Sequence, residues 1–87
     1  MTDLSVIILS YNTKDLTLSC LQSVVNDLKN SSLNAEIIVL DNASSDGSPE
    51  MLKHFRIQNS EFRIQNLYNK NNLGFARGNN LAAKKAT

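Results

Sequence analysis

Two short apolar runs that lack polar alternation constrain the fold more than any other feature. Residues 4–9 read LSVIIL, and residues 37–40 read IIVL. A strand with one face in water alternates apolar and polar residues, whereas a strand covered on both faces is apolar almost throughout. The two runs therefore predict strands β1 (4–9) and β2 (37–40) of a buried parallel sheet.

A helix is predicted between these strands. Asn12 can cap it, with Asp15 at its third position near the positive end of the helix dipole. Apolar residues then recur at steps of three and four, which predicts one stripe packed on the sheet. These are Leu16, Cys20, Leu21, Val24, Val25 and Leu28. We expect the helix to end near Lys29 and Cys20 to be a buried core residue.

The rest of the chain continues the same alternation. Ser48 can cap a second helix with Pro49 at its first position, running to about Phe55. Residues 64–68 are predicted as the third strand and residues 75–86 as a third helix. Alternating strands and helices indicate parallel strands joined by right-handed crossovers. We therefore predict a three-layer α/β/α fold with a Rossmann-like parallel sheet.

A five-residue repeat interrupts this order. The sequence FRIQN occupies residues 55–59 and again residues 62–66. Two copies are too few for a solenoid or a heptad array. We expect a connector in which only the second copy enters the third strand, and the alternative is that either copy could supply that strand.

Composition narrows the functional classes. The 87 residues are 41% hydrophobic, and nine basic against eight acidic side chains give a formal charge of +1. Such a balance does not favour binding to nucleic acid or to an anionic membrane surface. A single cysteine excludes an internal disulfide and a metal site built from several thiolates. The start of the chain lacks the basic region of a signal peptide, so we expect a cytoplasmic protein.

Three polar segments are predicted to meet at one edge of the sheet, because ligands in parallel sheets bind beyond the carboxyl ends of the strands. These segments are residues 10–12, 41–44 and 69–74. The dinucleotide fingerprint G-x-G-x-x-G and the phosphate loop G-x-x-x-x-G-K-[ST] are both absent from the sequence. We call this predicted edge the rim.

Asp41 is the acidic residue at the end of the second apolar run. A carboxylate only accepts hydrogen bonds, so it suits a ligand edge that presents N–H groups. Uracil, thymine and guanine present such groups, whereas cytosine presents an acceptor. The alternative is that Asp41 or Asp46 caps the second helix and orders the turn at residues 42–47.

Three segments together resemble a known family. LSVIILSYN, EIIVLDNASSDGS and NKNNLGFARGNNLAA are similar, in that order, to the N-terminal third of family 2 glycosyltransferases of the GT-A fold, especially the rhamnosyltransferase-like branch. The resemblance implies that a nucleotide-diphospho-sugar binds at the rim. Matching the motifs residue by residue gives the expected nucleotide-binding residues: Ser10, Tyr11 and Asn12 beside the base, Asp41 on the base or ribose, Asn72 and Gly74 under the nucleotide, and Asn80 approaching it from the third helix.

Two glycines in the third segment fit that implication. Gly74 allows a close backbone approach or a positive φ, and Gly78 inside a predicted helix costs about 1 kcal/mol relative to alanine. Close packing between a helix and the sheet is the alternative explanation for both glycines.

The sequence departs from the family at its end. Family members carry an Asp-x-Asp motif that holds Mg²⁺ or Mn²⁺ against the diphosphate, and later a carboxylate that deprotonates the acceptor. This sequence reaches Thr87 before either. We therefore expect residues 1–87 to be the nucleotide-binding portion of a polysaccharide-biosynthesis enzyme, inactive and metal-free alone. The resemblance implies a UDP- or dTDP-linked sugar, a glycan or lipid-linked acceptor, and is compatible with a membrane-peripheral full-length enzyme.

Two other functional classes share this predicted arrangement of strands and helices. A small parallel sheet with an unpaired edge could be a non-catalytic nucleotide-binding module, or one that self-associates through that edge. A receiver-like signalling domain also has alternating strands and helices, but it needs an acidic pair after the first strand. This sequence has Ser10, Tyr11 and Asn12 there.

Overall fold

The computed structural model describes residues 2–70. Their elements, in chain order, are β1 (Leu4–Ser10), α1 (Lys14–Lys29), β2 (Ala35–Asn42), α2 (Ser48–Gln58) and β3 (Arg63–Asn69). The alternation of strands and helices predicted from the sequence is confirmed over this range. The predicted third helix and three predicted site residues, Asn72, Gly74 and Asn80, lie outside the described residues.

The three strands form one parallel sheet in the order β1-β2-β3. Ile7 lies opposite Ile38, and Ile38 lies opposite Gln65, without a break in register. Because all three strands run the same way, their carboxyl ends share one edge of the sheet. Neither α1 nor α2 is long and apolar enough to cross a membrane.

The central strand β2 explains the missing polar alternation. On one face Ile37 and Val39 pack in a cluster with residues of both helices and of β3. On the other face Ile38 and Leu40 are fully buried. The helix-side cluster is completed by Leu21, Val25, Leu52, Phe55 and Ile64. A strand buried on both faces gains nothing from polar residues at every second position.

The buried face of α1 differs from the predicted stripe. Its buried residues are Thr17, Leu21 and Val25. Leu16 is 74% exposed and Cys20 is exposed, so the prediction that Cys20 is a core residue is wrong. The other four predicted stripe residues face the core, since Leu21 and Val25 are buried and Val24 and Leu28 pack against the same cluster. The Thr17 hydroxyl donates to Ser10 Oγ at 3.2 Å, which places a polar residue on the face toward β1.

Both helix starts also differ from the prediction. The residue before α1 is Thr13, whose side chain makes no capping hydrogen bond, and Asn12 lies one residue further out with a positive φ of 50°. The residue before α2 is Gly47, in the left-handed region at φ 88°, so Ser48 is the first helical residue instead of the cap. The Asn12 side chain bonds to Ser45 in the loop after β2, and the Ser48 hydroxyl bonds to Asp46 just before α2, as described below.

The two FRIQN copies adopt different structures. Residues 55–58 form the end of α2, and residues 63–66 lie in β3. The prediction that only the second copy enters the strand is confirmed. The first copy is part of a helix that continues three residues beyond the predicted end at Phe55, and not part of a connector.

Candidate functional site

The rim forms where β1 and β2 end. Ser10 is paired with Asp41 in the sheet register, and Asn42 with Asn69. The segments that follow β1 and β2 are joined by direct hydrogen bonds, which confirms that the first two predicted rim segments meet. Residues 71–74 of the third segment lie beyond the part of the chain that the structure describes.

Asp41 is inside β2, because the strand continues through Asn42 instead of ending at Leu40. Its side chain is almost fully buried, at 1% exposure. Ser44 donates to both carboxylate oxygens, from its backbone N–H to Oδ2 at 3.0 Å and from its hydroxyl to Oδ1 at 2.6 Å. A carboxylate has about four acceptor positions, so each oxygen keeps capacity for a further donor. Asp41 therefore orders its own turn and retains unused acceptor capacity.

Asp46 acts as the cap for both helices. Its Oδ1 accepts from the backbone N–H of Ser48 at 3.1 Å and from the Ser48 hydroxyl at 2.6 Å, at the start of α2. Its Oδ2 accepts from the backbone N–H of Lys14 at 3.0 Å, at the start of α1. The Ser48 hydroxyl, with the backbone donors, lowers the pKa of Asp46 against a smaller opposing effect of desolvation. The alternative assigned to Asp46 from the sequence, that it caps the second helix, is confirmed.

Asn12 ties the loop after β1 to the loop after β2. Its backbone N–H donates to Ser44 Oγ at 2.9 Å, and its side-chain Oδ1 accepts from the Ser45 N–H at 2.8 Å. Asn12 and Ala43 both have positive φ, at 50° and 62°. Non-glycine residues in this region cost about 1–3 kcal/mol each and persist only where surrounding contacts hold them. Such backbone strain is typical of functional loops.

The other two predicted residues of the first loop differ in exposure. Ser10 is 1% exposed, and its hydroxyl accepts from Thr17, so its side chain lies against α1. Tyr11 is 48% exposed at the rim. The structure therefore leaves the Tyr11 ring open to a ligand, whereas any contact from Ser10 would come from its backbone.

Three polar residues lie in the predicted rim segments but were not among the predicted nucleotide-binding residues. Ser44 holds Asp41, and Asn69 donates from Nδ2 to Asn42 Oδ1 at 2.8 Å across the ends of β3 and β2. Asn42 is buried and Asn69 is half-buried. Two signals could have found them. An Asp followed three residues later by Ser is a turn-forming pattern, and asparagines after two apolar strands fall at neighbouring strand ends.

The described part of the rim does not fit a divalent metal site. No group of three or more His, Cys, Asp or Glu side chains among residues 2–70 could hold a metal ion. No catalytic step through a metal can therefore be derived from these residues.

Comparisons with known proteins agree with this geometry. The model of the family described as Glycosyl transferase family 2 matches residues 5–87. Among solved structures, the mannosyltransferase PcManGT from Pyrobaculum calidifontis, in complex with GDP-Man and Mn²⁺, matches with a TM-score of 0.79 and 22% identity. The match covers 97% of this chain and 24% of PcManGT, so the chain spans about a quarter of that structure's length. This likeness confirms the predicted Rossmann-like fold of a GT-A enzyme's N-terminal part. No curated protein matches.

Proposed function

The chain belongs to glycosyl transferase family 2, and from that premise we propose that it forms the donor-nucleotide part of a glycosyltransferase. The donor is a nucleotide-diphospho-sugar of the UDP or dTDP type, and the acceptor is a glycan or a lipid-linked glycan. The observation that supports this most is Asp41, a buried carboxylate at the carboxyl end of the central strand, paired in the sheet with Ser10, the residue before the exposed Tyr11.

In this proposal each rim residue has a distinct role. Asp41 accepts an N–H of the base, and the ring of Tyr11 packs on the base. Asn12 keeps the two loops together, and Ser10 contributes its backbone. The family resemblance adds a contribution from three residues outside the described range, with Asn72 and Gly74 under the nucleotide and Asn80 approaching it.

The choice of base follows from hydrogen-bond polarity. Uracil and thymine present one ring N–H to Asp41, guanine presents two donors, and cytosine presents an acceptor at the same place. A hydrogen bond to a charged group contributes about 1.5–3 kcal/mol, which corresponds to about 10- to 150-fold in affinity. PcManGT was solved with GDP-Man, a nucleotide whose base also offers N–H donors. Asp41 therefore favours the bases that carry a donor and disfavours cytosine.

Sugar transfer itself needs more than the described residues. A departing diphosphate develops negative charge that a cation or fixed donors must stabilise, and the acceptor hydroxyl needs a base. Residues 2–70 do not hold a metal-ligand cluster. We therefore assign any Mg²⁺ or Mn²⁺ of the full-length enzyme to residues outside this range, and we expect nucleotide binding without sugar transfer from residues 1–87 alone.

Titration calorimetry with UDP, dTDP, GDP and CDP tests the proposal. We expect UDP and dTDP to bind at least tenfold more tightly than CDP, because only the first two give Asp41 a donor. Chemical-shift mapping with UDP should move the signals of Asp41 and Asn80. A preference for CDP would contradict the proposed role of Asp41.

Self-association is a second proposed property, supported by the sheet order. Within the described sheet β1 and β3 are edge strands, and β1 carries half-buried apolar residues along its length. Unpaired strand edges favour pairing with another chain. Sedimentation velocity at increasing protein concentration should show oligomers, and a single monomeric species at the highest concentration would refute this.

A further inference from the structure

Ser44 controls the orientation of the Asp41 carboxylate. The two hydrogen bonds from Ser44 reach different oxygens of the same carboxylate, at 3.0 Å and 2.6 Å. Two donors in fixed positions define the plane of the carboxylate, whereas one donor would let it rotate. We propose that Ser44 is a positioning residue for nucleotide recognition, an inference that rests on the proposed function of Asp41.

The direction of each proton in this network is fixed by chemistry. The backbone N–H of Asn12 can only donate, so Ser44 Oγ accepts from it at 2.9 Å. The hydroxyl proton of Ser44 is then directed to Asp41 Oδ1. Donation and acceptance at the same hydroxyl polarise it, and linked hydrogen bonds of this kind strengthen one another. The Ser44 hydroxyl accepts from Asn12 and donates to Asp41 through one oxygen atom.

The same network joins the residue that packs on the base to the residue that reads it. Tyr11 immediately precedes Asn12, and Asn12 is bonded to Ser44 and, through its side chain, to the Ser45 N–H. The loop that carries Tyr11 therefore shares a fixed geometry with Asp41 at the end of β2. Loss of the Ser44 hydroxyl should disturb base selection as well as affinity, because the carboxylate loses its orientation while the bulk of the rim remains.

The test compares three single substitutions in the protein. Ser44→Ala removes the hydroxyl, and Ser44→Thr keeps a hydroxyl at the same position. Ser45→Ala is the matched control, because Ser45 is the neighbouring serine, is exposed, and takes part in this hydrogen-bond network through its backbone N–H. UDP and CDP affinities are measured by calorimetry, and the exchange rate of the Asn12 amide proton is measured by NMR without nucleotide.

We expect Ser44→Ala to weaken UDP binding about tenfold and to move the UDP-to-CDP affinity ratio toward one. Ser44→Thr should restore most of the ratio, and Ser45→Ala should leave it unchanged. A purely structural role would weaken both nucleotides equally and leave the ratio as in the wild type, which would overturn the inference.

The amide exchange rate separates this inference from the proposed function. Ser44→Ala should accelerate exchange at Asn12 at least tenfold, whereas Ser44→Thr and Ser45→Ala should not. An unchanged rate in Ser44→Ala would overturn the inference whatever the nucleotide affinities are. If the wild-type protein binds neither nucleotide, the proposed function fails, and so does the recognition role of Ser44. Faster Asn12 exchange in Ser44→Ala would then support only the hydrogen-bond link from Asn12 through Ser44 to Asp41.

Discussion

Two turns in the same loop use a carboxylate in nearly the same way. Asp41 and Asp46 each accept a backbone N–H and a hydroxyl from a serine a few residues later, and the hydroxyl distance is 2.6 Å in both. The turns differ in burial, since Asp41 is 1% exposed and Asp46 is exposed. They also differ in their left-handed residue, which is Ala43 in the first turn and Gly47 in the second.

The difference separates a structural carboxylate from a candidate binding residue. The backbone donors to Asp46 come from the first residues of two helices, Lys14 and Ser48, where N–H groups have no partner within the helix. Asp41 is bonded to Ser44 alone within the loop and lies at the end of the central strand. The serine hydrogen bonds are alike in the two turns, whereas the bond from Lys14 to Asp46, the burial of Asp41 and its position in the sheet distinguish the two residues.

The largest expected effect compares the two carboxylates directly. Asp41→Asn keeps the shape of the side chain but removes the charge and presents an N–H on one side to the ligand. We expect UDP affinity to fall by about 10- to 100-fold. Asp46→Asn should change UDP affinity by less than about threefold, because Asp46 holds helix ends. Calorimetry with both variants checks this, and equal losses would remove the distinction.

The next effect concerns the two left-handed residues. Gly47→Ala should lower the free energy of unfolding by about 1 kcal/mol, because an L-residue disfavours φ 88°. The added Cβ would meet Lys14 Nζ at 3.6 Å, an ordinary contact, so the cost is conformational and not steric.

Ala43→Gly is the reverse substitution in the other turn. It relieves the positive φ of Ala43, and we expect a gain of about 0.5 kcal/mol after the larger entropy of the unfolded chain is subtracted. Urea denaturation of both variants measures the pair. A loss of stability in Ala43→Gly would show that the first turn does not hold strain.

The smallest expected effect is the pH dependence of the Asp46 cap. The folded-state pKa of Asp46 is lowered from 3.8. The contribution of the charged cap is therefore fully present above the unfolded-state pKa and is lost as the pH falls through the folded-state pKa. The urea midpoint of wild type should exceed that of Asp46→Asn at pH 6, and the gap should close below about pH 4.

Glu61→Gln is the control for that pH series, since it removes an exposed acid in the turn between α2 and β3. Its midpoint should follow the wild type across the same pH range. A gap between wild type and Asp46→Asn that persists at low pH would show that the amide, and not loss of charge, causes the difference.

The sheet could be predicted from the sequence because burial on both faces leaves a local pattern. The apolar runs at 4–9 and 37–40 identified β1 and β2, and β3 was placed within one residue of its observed ends. The extension of β2 through Asp41 and Asn42 could not be predicted. Polar residues continue a strand there because Ser44 satisfies Asp41 and Asn69 satisfies Asn42. The Asn69 partner comes from a neighbouring strand, so the tertiary fold sets it.

The error at the start of α1 has the same cause, whereas the error at the start of α2 is local, because the partner of Ser48 lies two residues earlier. Asn12 and Ser48 carry the right side chains for local capping, yet Asn12 bonds to residues 44 and 45, and Ser48 donates to Asp46. Contacts between the two loops span more than 30 positions, so local sequence rules do not contain them. The nucleotide-binding roles of Ser10, Tyr11, Asn12, Asp41 and the residues beyond 70 stay predictions, as does the cytoplasmic location.

The FRIQN repeat gives the limit of local prediction in its plainest form. Ile57 in the helical copy is 66% exposed, whereas Ile64 at the same place in the strand copy is 7% exposed. Five identical residues therefore specify neither structure nor burial. The surrounding elements decide the structure and the burial of each copy. Phe55 of α2 packs in the helix-side cluster, and Ile64 of β3 lies beside Ile37 in the sheet.

The exposed position of Cys20 has a practical consequence for the solution experiments. It is the only thiol in the sequence and lies on the outer surface of α1. Air oxidation could cross-link two molecules through it, and sedimentation would then report covalent dimers instead of paired strand edges, so that measurement requires a reductant. The same thiol accepts a single maleimide dye, which would provide a fluorescence reporter attached at one defined point.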